Sequence, residues 1–146
     1  MHGKHLLLDM YGCGNKRAYS TEHQLEATMS LASIKTGAKI RSTHMHELFD
    51  KDTNESAWSY TAILEESNCA AHIWPNTGFV SLDMYTCGHT ADPMLALDYL
   101  LEMFQPDNYS LKFIHRGEGL GTVSVTKGVG KKQPVFVTAV EVRKSE

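Results

Sequence analysis

The feature that most limits the fold is a run of strict alternation just past mid-chain. Pro75-Asn76-Thr77-Gly78 is a strong turn signal. After it, Phe79, Ser81, Asp83 and Tyr85 alternate with Val80, Leu82, Met84 and Thr86. The second set is mostly apolar and the first is mixed, which is the pattern of a strand with one face on a core. Such a strand belongs to a sheet covered on one face, and that favours antiparallel pairing.

The rest of the chain supplies partners for it. His5 to Met10 reads as a first strand, ending at Gly12-Cys13-Gly14. Thr21 with Gln24 resembles a capping box and opens a helix through about Lys35. Leu25, Met29 and Ala32 form one apolar stripe on it, and Ala27, Leu31 and Ile34 form a second beside the first. Gly37 suits the position after the helix. Lys39 to His46 alternates as a strand, and Glu47 to Ala57 reads as a polar connection. Trp58 to Leu64 favours β structure. Asp92-Pro93 reads as a cap followed by proline at the first helical position, with a helix to about Phe104. Tyr109 to His115 is a further strand, and Val135 to Val142 a last one before a charged tail. Arg116 to Gly130 carries five glycines and little packing pattern. The order predicts an α+β fold, a two-layer α/β sandwich whose mostly antiparallel sheet carries its helices on one face. The bare sheet face then needs a cover, and a homodimer pairing sheets into a larger sandwich supplies one.

Composition narrows the function. The chain has 146 residues, enough for one domain with a real core, and 42% of them are hydrophobic. Its formal charge of −3, without a long basic run, argues against a nucleic-acid backbone as partner. No apolar run is long enough to span a bilayer, and Leu6-Leu7-Leu8 is broken at once by Asp9, so it is a strand rather than a signal peptide. Cys13, Cys69 and Cys87 make an odd count without a CxxC pair. Free thiols and a cytoplasmic setting are therefore expected.

The chemistry-bearing residues crowd into Glu66-Ser67-Asn68-Cys69-Ala70-Ala71-His72-Ile73-Trp74-Pro75 and Asp83-Met84-Tyr85-Thr86-Cys87-Gly88. A serine such as Ser67 is ordinarily a turn residue satisfied by backbone; activation as a nucleophile needs a base in reach. His72 lies five residues on, where a strand pair or tight hairpin could bring it close, and its apolar neighbours would keep it neutral. Cys87, at a strand end before a glycine, suits an acid or a nucleophile, although most such thiols are simply buried. His44 and His46 alternate on one strand, but with His72 or His115 they lack an indicated further ligand, so no metal site is expected. The glycines after Arg116 open no helix, which removes the phosphate-loop reading. The residues alone leave a soluble α+β domain with a Ser/His/Cys constellation, and no specific activity follows from that.

These motifs, together with His5 to Cys13 and Asp92-Pro93, resemble the S-adenosylmethionine decarboxylase proenzymes of the bacterial and archaeal type, over about residues 4 to 116. The resemblance implies that the single domain cuts itself between Glu66 and Ser67 into residues 1–66 and 67–146. The Ser67 hydroxyl would attack the preceding carbonyl, and elimination and hydrolysis would leave a covalent pyruvoyl group. That group binds the substrate amine as a Schiff base and accepts the electrons released with carbon dioxide, and the product feeds spermidine and other polyamines. It also implies that Ser59 and His72 assist processing, that Cys87 protonates the product, and that the enzyme is a homodimer of cleaved chains. Phe49 is the candidate to stack on adenine. Asn68 and Asn76 stand where the family usually has histidine and glutamate, and Asn76 occupies a ribose-binding position. Two other readings stay open: a pyruvoyl-dependent arginine or ornithine decarboxylase, and a non-catalytic regulatory homologue.

Overall fold

A computed structural model describes residues 2–117 in full, and beyond them the backbone of Thr122–Val129 and Val135–Glu141. Eight strands form one sheet: β1 Gly3–Tyr11, β2 Ile40–Asp50, β3 Glu55–Leu64, β4 Ser67–Trp74, β5 Phe79–Cys87, β6 Asn108–Arg116, β7 Thr122–Val129 and β8 Val135–Glu141. Their spatial order is β2-β3-β4-β5-β1-β6-β7-β8, and every neighbouring pair is antiparallel. Helices α1 (Glu22–Lys35) and α2 (Leu97–Phe104) cover one face. This is the expected two-layer arrangement.

The alternation of β5 is borne out, with Val80, Leu82, Met84 and Thr86 buried. β1 beside it buries Leu6, Leu8 and Met10 completely, each contributing about 2 kcal/mol by area alone. Thr21 caps α1 as its spacing predicts, its hydroxyl accepting from the Gln24 N–H at 3.1 Å. Gly78 closes the β4–β5 turn with φ 68°, and its carbonyl accepts from the Cys13 N–H at 2.9 Å. A Cβ there would lie 2.9 Å from that nitrogen, so the turn that defines the alternating strand needs glycine for both conformation and space.

Several expectations change. Glu47 to Ala57 is not a connection: β2 runs to Asp50 and β3 starts at Glu55, joined by a turn over residues 51–54. This hairpin arm is exposed along most of β2, so its polarity reports solvent on both faces rather than a loop. The Ser67 to Trp74 motif is itself a strand, and Cys87 is the last residue of β5 rather than the first of a loop. Within Arg116 to Gly130, residues 122–129 form β7; residues 118–121 and 130, with the tail 142–146, lie outside the described residues. Asp92 does act as a cap, accepting from the Met94 N–H at 2.9 Å, but the chain makes a 3-10 turn over Pro93–Ala96 before α2 begins. On α1 only the stripe of Leu25, Met29 and Ala32 meets the sheet; Leu31 and Ile34 are half exposed.

Candidate active site

The Glu66–Ser67 bond sits in the tightest turn of the sheet. Leu64 pairs with Ser67, so Glu65 and Glu66 alone link β3 to β4. Glu66 has φ 56°, a left-handed conformation that glycine or asparagine adopts readily and glutamate does not. Ser67 follows as the first residue of β4, only 8% exposed. Its Oγ accepts from the Cys87 backbone N–H at 3.1 Å, which ties the start of β4 to the end of β5 and leaves the hydroxyl proton for a base.

Cys87 is partly buried, and its Sγ–H donates to the Tyr85 hydroxyl at 2.9 Å. The other thiols are inert. Burial pushes Cys13 and Cys69 up to about 12, whereas a thiolate is what a reactive cysteine must form. An open hollow of about 630 Å³ adjoins the site, bordered by His2, Glu66, Tyr85, Cys87, Gly88 and His89. Glu66, Ser67 and Cys87 are thus brought together at one end of β4 and β5, and the hollow beside them can admit a small molecule.

His72 is elsewhere. It pairs in register with Ser59, and its Nδ1 lies 2.9 Å from Ser59 Oγ. Ser67 faces the helices with Cys69, Ala71 and Ile73, while His72 is exposed on the helix-free face. At about 3.4 Å per residue, the two are also roughly 17 Å apart along the strand. No hairpin brings His72 to Ser67 within one chain, contrary to the possibility their spacing left open. Asn76 lies exposed in the turn beyond Trp74, at the His72 end. Phe49 is 55% exposed near the tip of the β2–β3 arm, opposite Ser56 and toward that same end. The candidate residues therefore form two groups: Glu66, Ser67 and Cys87 at one end of β4, and Ser59, His72, Asn76 and Phe49 toward the other. An aromatic stack of Trp74, Phe79 and Tyr11, with rings 5.1 Å apart at 28°, lies beside the second group.

Tyr85 went unmarked in the sequence as a functional residue. Its signal was modest: it stands two residues before Cys87 and so shares its face of the strand. Among the described residues no group of three or more His, Cys, Asp and Glu is placed to hold a metal, and no helix is long and apolar enough to cross a membrane.

The residues present fit a serine-derived pyruvoyl group: the serine opens a strand directly after a left-handed residue, its oxygen is held by an amide, and a thiol stands at the adjoining hollow. Comparison with known proteins bears on the family. The family model for S-adenosylmethionine decarboxylase matches residues 4–117. The S-adenosylmethionine decarboxylase proenzyme of Caldanaerobacter subterraneus subsp. tengcongensis is 30% identical over 115 residues, covering 79% of this chain and 88% of that one. The proenzyme of Caldicellulosiruptor saccharolyticus is 28% identical over the same shares. In fold, the chain is similar to the crystal structure of the adenosylmethionine decarboxylase from Aquifex aeolicus, with a TM-score of 0.65, 22% identity, and coverage of 79% of this chain and 90% of that one. With its motifs, its sheet and the match over residues 4–117 in accord, the chain belongs to the S-adenosylmethionine decarboxylase family of carboxy-lyases.

Proposed function

We propose that this chain is a self-processing decarboxylase of S-adenosylmethionine that forms its own pyruvoyl group from Ser67 and works as a homodimer in the cytoplasm. The observation that carries the reading is that Ser67 Oγ is held by the Cys87 backbone N–H immediately after the left-handed Glu66, while Glu66 and Cys87 border one hollow. Processing begins when Ser67 Oγ attacks the Glu66 carbonyl carbon. The C–O bond forms as the C–N bond breaks, the hydroxyl proton goes to a base, and the freed nitrogen is protonated. Loss of the Ser67 α-proton then expels the Glu66 carboxylate, which severs the chain into residues 1–66 and 67–146. Residue 67, left as dehydroalanine, takes up water and releases ammonia, and the pyruvoyl group so derived supplies an electron sink for decarboxylation. Cys87, which borders the hollow, delivers its Sγ proton to the carbon that has lost carbon dioxide.

The positions of His72 and Ser59 support the dimer reading. As an exposed hydrogen-bonded pair on the helix-free face, they cannot serve the Ser67 of their own chain. A two-fold pairing of helix-free faces, with strands running oppositely, sets the His72 end of one chain against the Ser67 end of the other. Each site is then built from two chains, and both sheets gain their missing cover. The three free thiols accord with a reducing compartment.

Carbon dioxide release from labelled S-adenosylmethionine, arginine and ornithine tests the substrate. Release from S-adenosylmethionine alone is expected. Release confined to arginine or ornithine would overturn the assignment.

A further inference from the structure

Cys87 belongs to a cross-strand row with a gap at its centre. Register sets Cys87 on β5 opposite Gly3 on β1, and Gly3 opposite Arg116 on β6. The middle position has no side chain, and the Tyr85 ring occupies the space. A Cβ on Gly3 would stand 2.5 Å from the Tyr85 hydroxyl oxygen and 2.7 Å from its Cε2, so this glycine is there for room. The Arg116 guanidinium carbon lies over the ring, 4.5 Å from its centroid. Arg116 Nη1 is 3.3 Å from His5 Nδ1, and His5 Nε2 is 3.3 Å from Asp83 Oδ1. His5 also meets the Tyr85 ring edge-on at 6.0 Å. Held in this way, the phenol ends 2.9 Å from Cys87 Sγ.

We propose that Tyr85 is a positioning residue for Cys87, its hydroxyl seated over Gly3 and under Arg116 so as to aim the thiol and to stabilise the thiolate it leaves. The inference rests on the reading of Cys87 as proton donor. Before transfer, Sγ–H donates to the phenol oxygen, which fixes the thiol's orientation. When the proton passes from Sγ to the substrate carbon, the electron pair of the S–H bond stays on sulfur. The phenol then turns and donates its own O–H to that anion, and water later returns a proton to sulfur. Nothing is oxidised or reduced. Tyr85 can play this part because its phenol is held above the ordinary tyrosine range, chiefly by the bond in which its O–H donates to the Cys87 thiolate, and so keeps its proton in that state. A hydrogen bond to the charged form favours that form. The other ionisable groups bordering the hollow with the thiol are Glu66, and His2 and His89 from the flanking segments.

The test is alkylation of Cys87 by iodoacetamide across pH in the uncleaved full-length Ser67→Ala chain, with each cysteine assigned by peptide mass. Cys13 and Cys69 are buried and pushed up to about 12, so they stay silent while the chain is folded and serve as the folding control. Adding Tyr85→Phe keeps the ring under Arg116 and removes only the hydroxyl. It is expected to slow Cys87 alkylation near neutral pH by about fivefold, the effect of one lost hydrogen bond to an anion in a partly open site. Gly3→Ala, which keeps the hydroxyl but drives the ring off its seat, is expected to do the same. A Cys87 rate in Tyr85→Phe that is unchanged or faster at every pH, with Cys13 and Cys69 still protected, would overturn the proposal. Because the chain is uncleaved, the result is independent of whether the pyruvoyl group forms and of which substrate it serves.

Discussion

Glu66 is the residue at which conformation and chemistry meet. Its left-handed backbone, φ 56°, costs on the order of 1 kcal/mol relative to glycine, and it lies directly before the bond that must break. The proposed cleavage would free Glu66 from the two-residue turn and release that strain. Glu66→Gly would relax the precursor without touching Ser67 or Cys87, and is expected to slow self-cleavage by up to about fivefold, the rate equivalent of that energy. A time course of fragment appearance on a denaturing gel measures it; an equal or faster rate would show that the strain is not spent on cleavage. Nothing in the sequence marks this strain, since glutamate is among the least expected residues for the position. Ser67 differs in that respect: its identity as a nucleophile came from the resemblance, and its tie to the Cys87 amide only from the structure.

At the scale of elements, legibility followed burial. Strands with one buried face, such as β1 and β5, wrote their alternation plainly, and so did α1 with its cap at Thr21. The β2–β3 arm did not, because solvent lies on both sides of much of it and the polar run Glu47 to Ala57 looks like a loop. β4 was hidden for another reason. Its outward positions Asn68, Ala70, His72 and Trp74 mix polar, apolar and aromatic residues rather than being uniformly polar, so its period was masked. The second stripe on α1 was a true helical repeat, but a helix lying on a sheet buries only the stripe that faces it, and Leu31 and Ile34 point away. The seat of Tyr85 over Gly3 could not have been read at all: it depends on the register of strands whose residues are about eighty positions apart.

At the scale of the molecule, the sheet separates what the reaction needs. Ser67 and Cys87 stand at one end of β4, Ser59 and His72 toward the other, and the proposed two-fold pairing of helix-free faces would reunite them. Co-expression of a Ser67→Ala chain with a His72→Ala chain isolates that claim. In the mixed dimer one site keeps an intact Ser67 from one chain and an intact His72 from the other. The His72→Ala chain is expected to be cleaved there and to stay whole when expressed alone; no rescue in the mixture would mean that His72 acts within its own chain or not at all. All of this presupposes the cut itself, and the intact mass of the purified wild-type protein tests it most directly. The account predicts two polypeptides, residues 1–66 and residues 67–146, the second lighter than its encoded mass by one ammonia because its first residue has become pyruvoyl. A single chain of 146 residues with Ser67 unchanged, persisting after prolonged incubation, would contradict it.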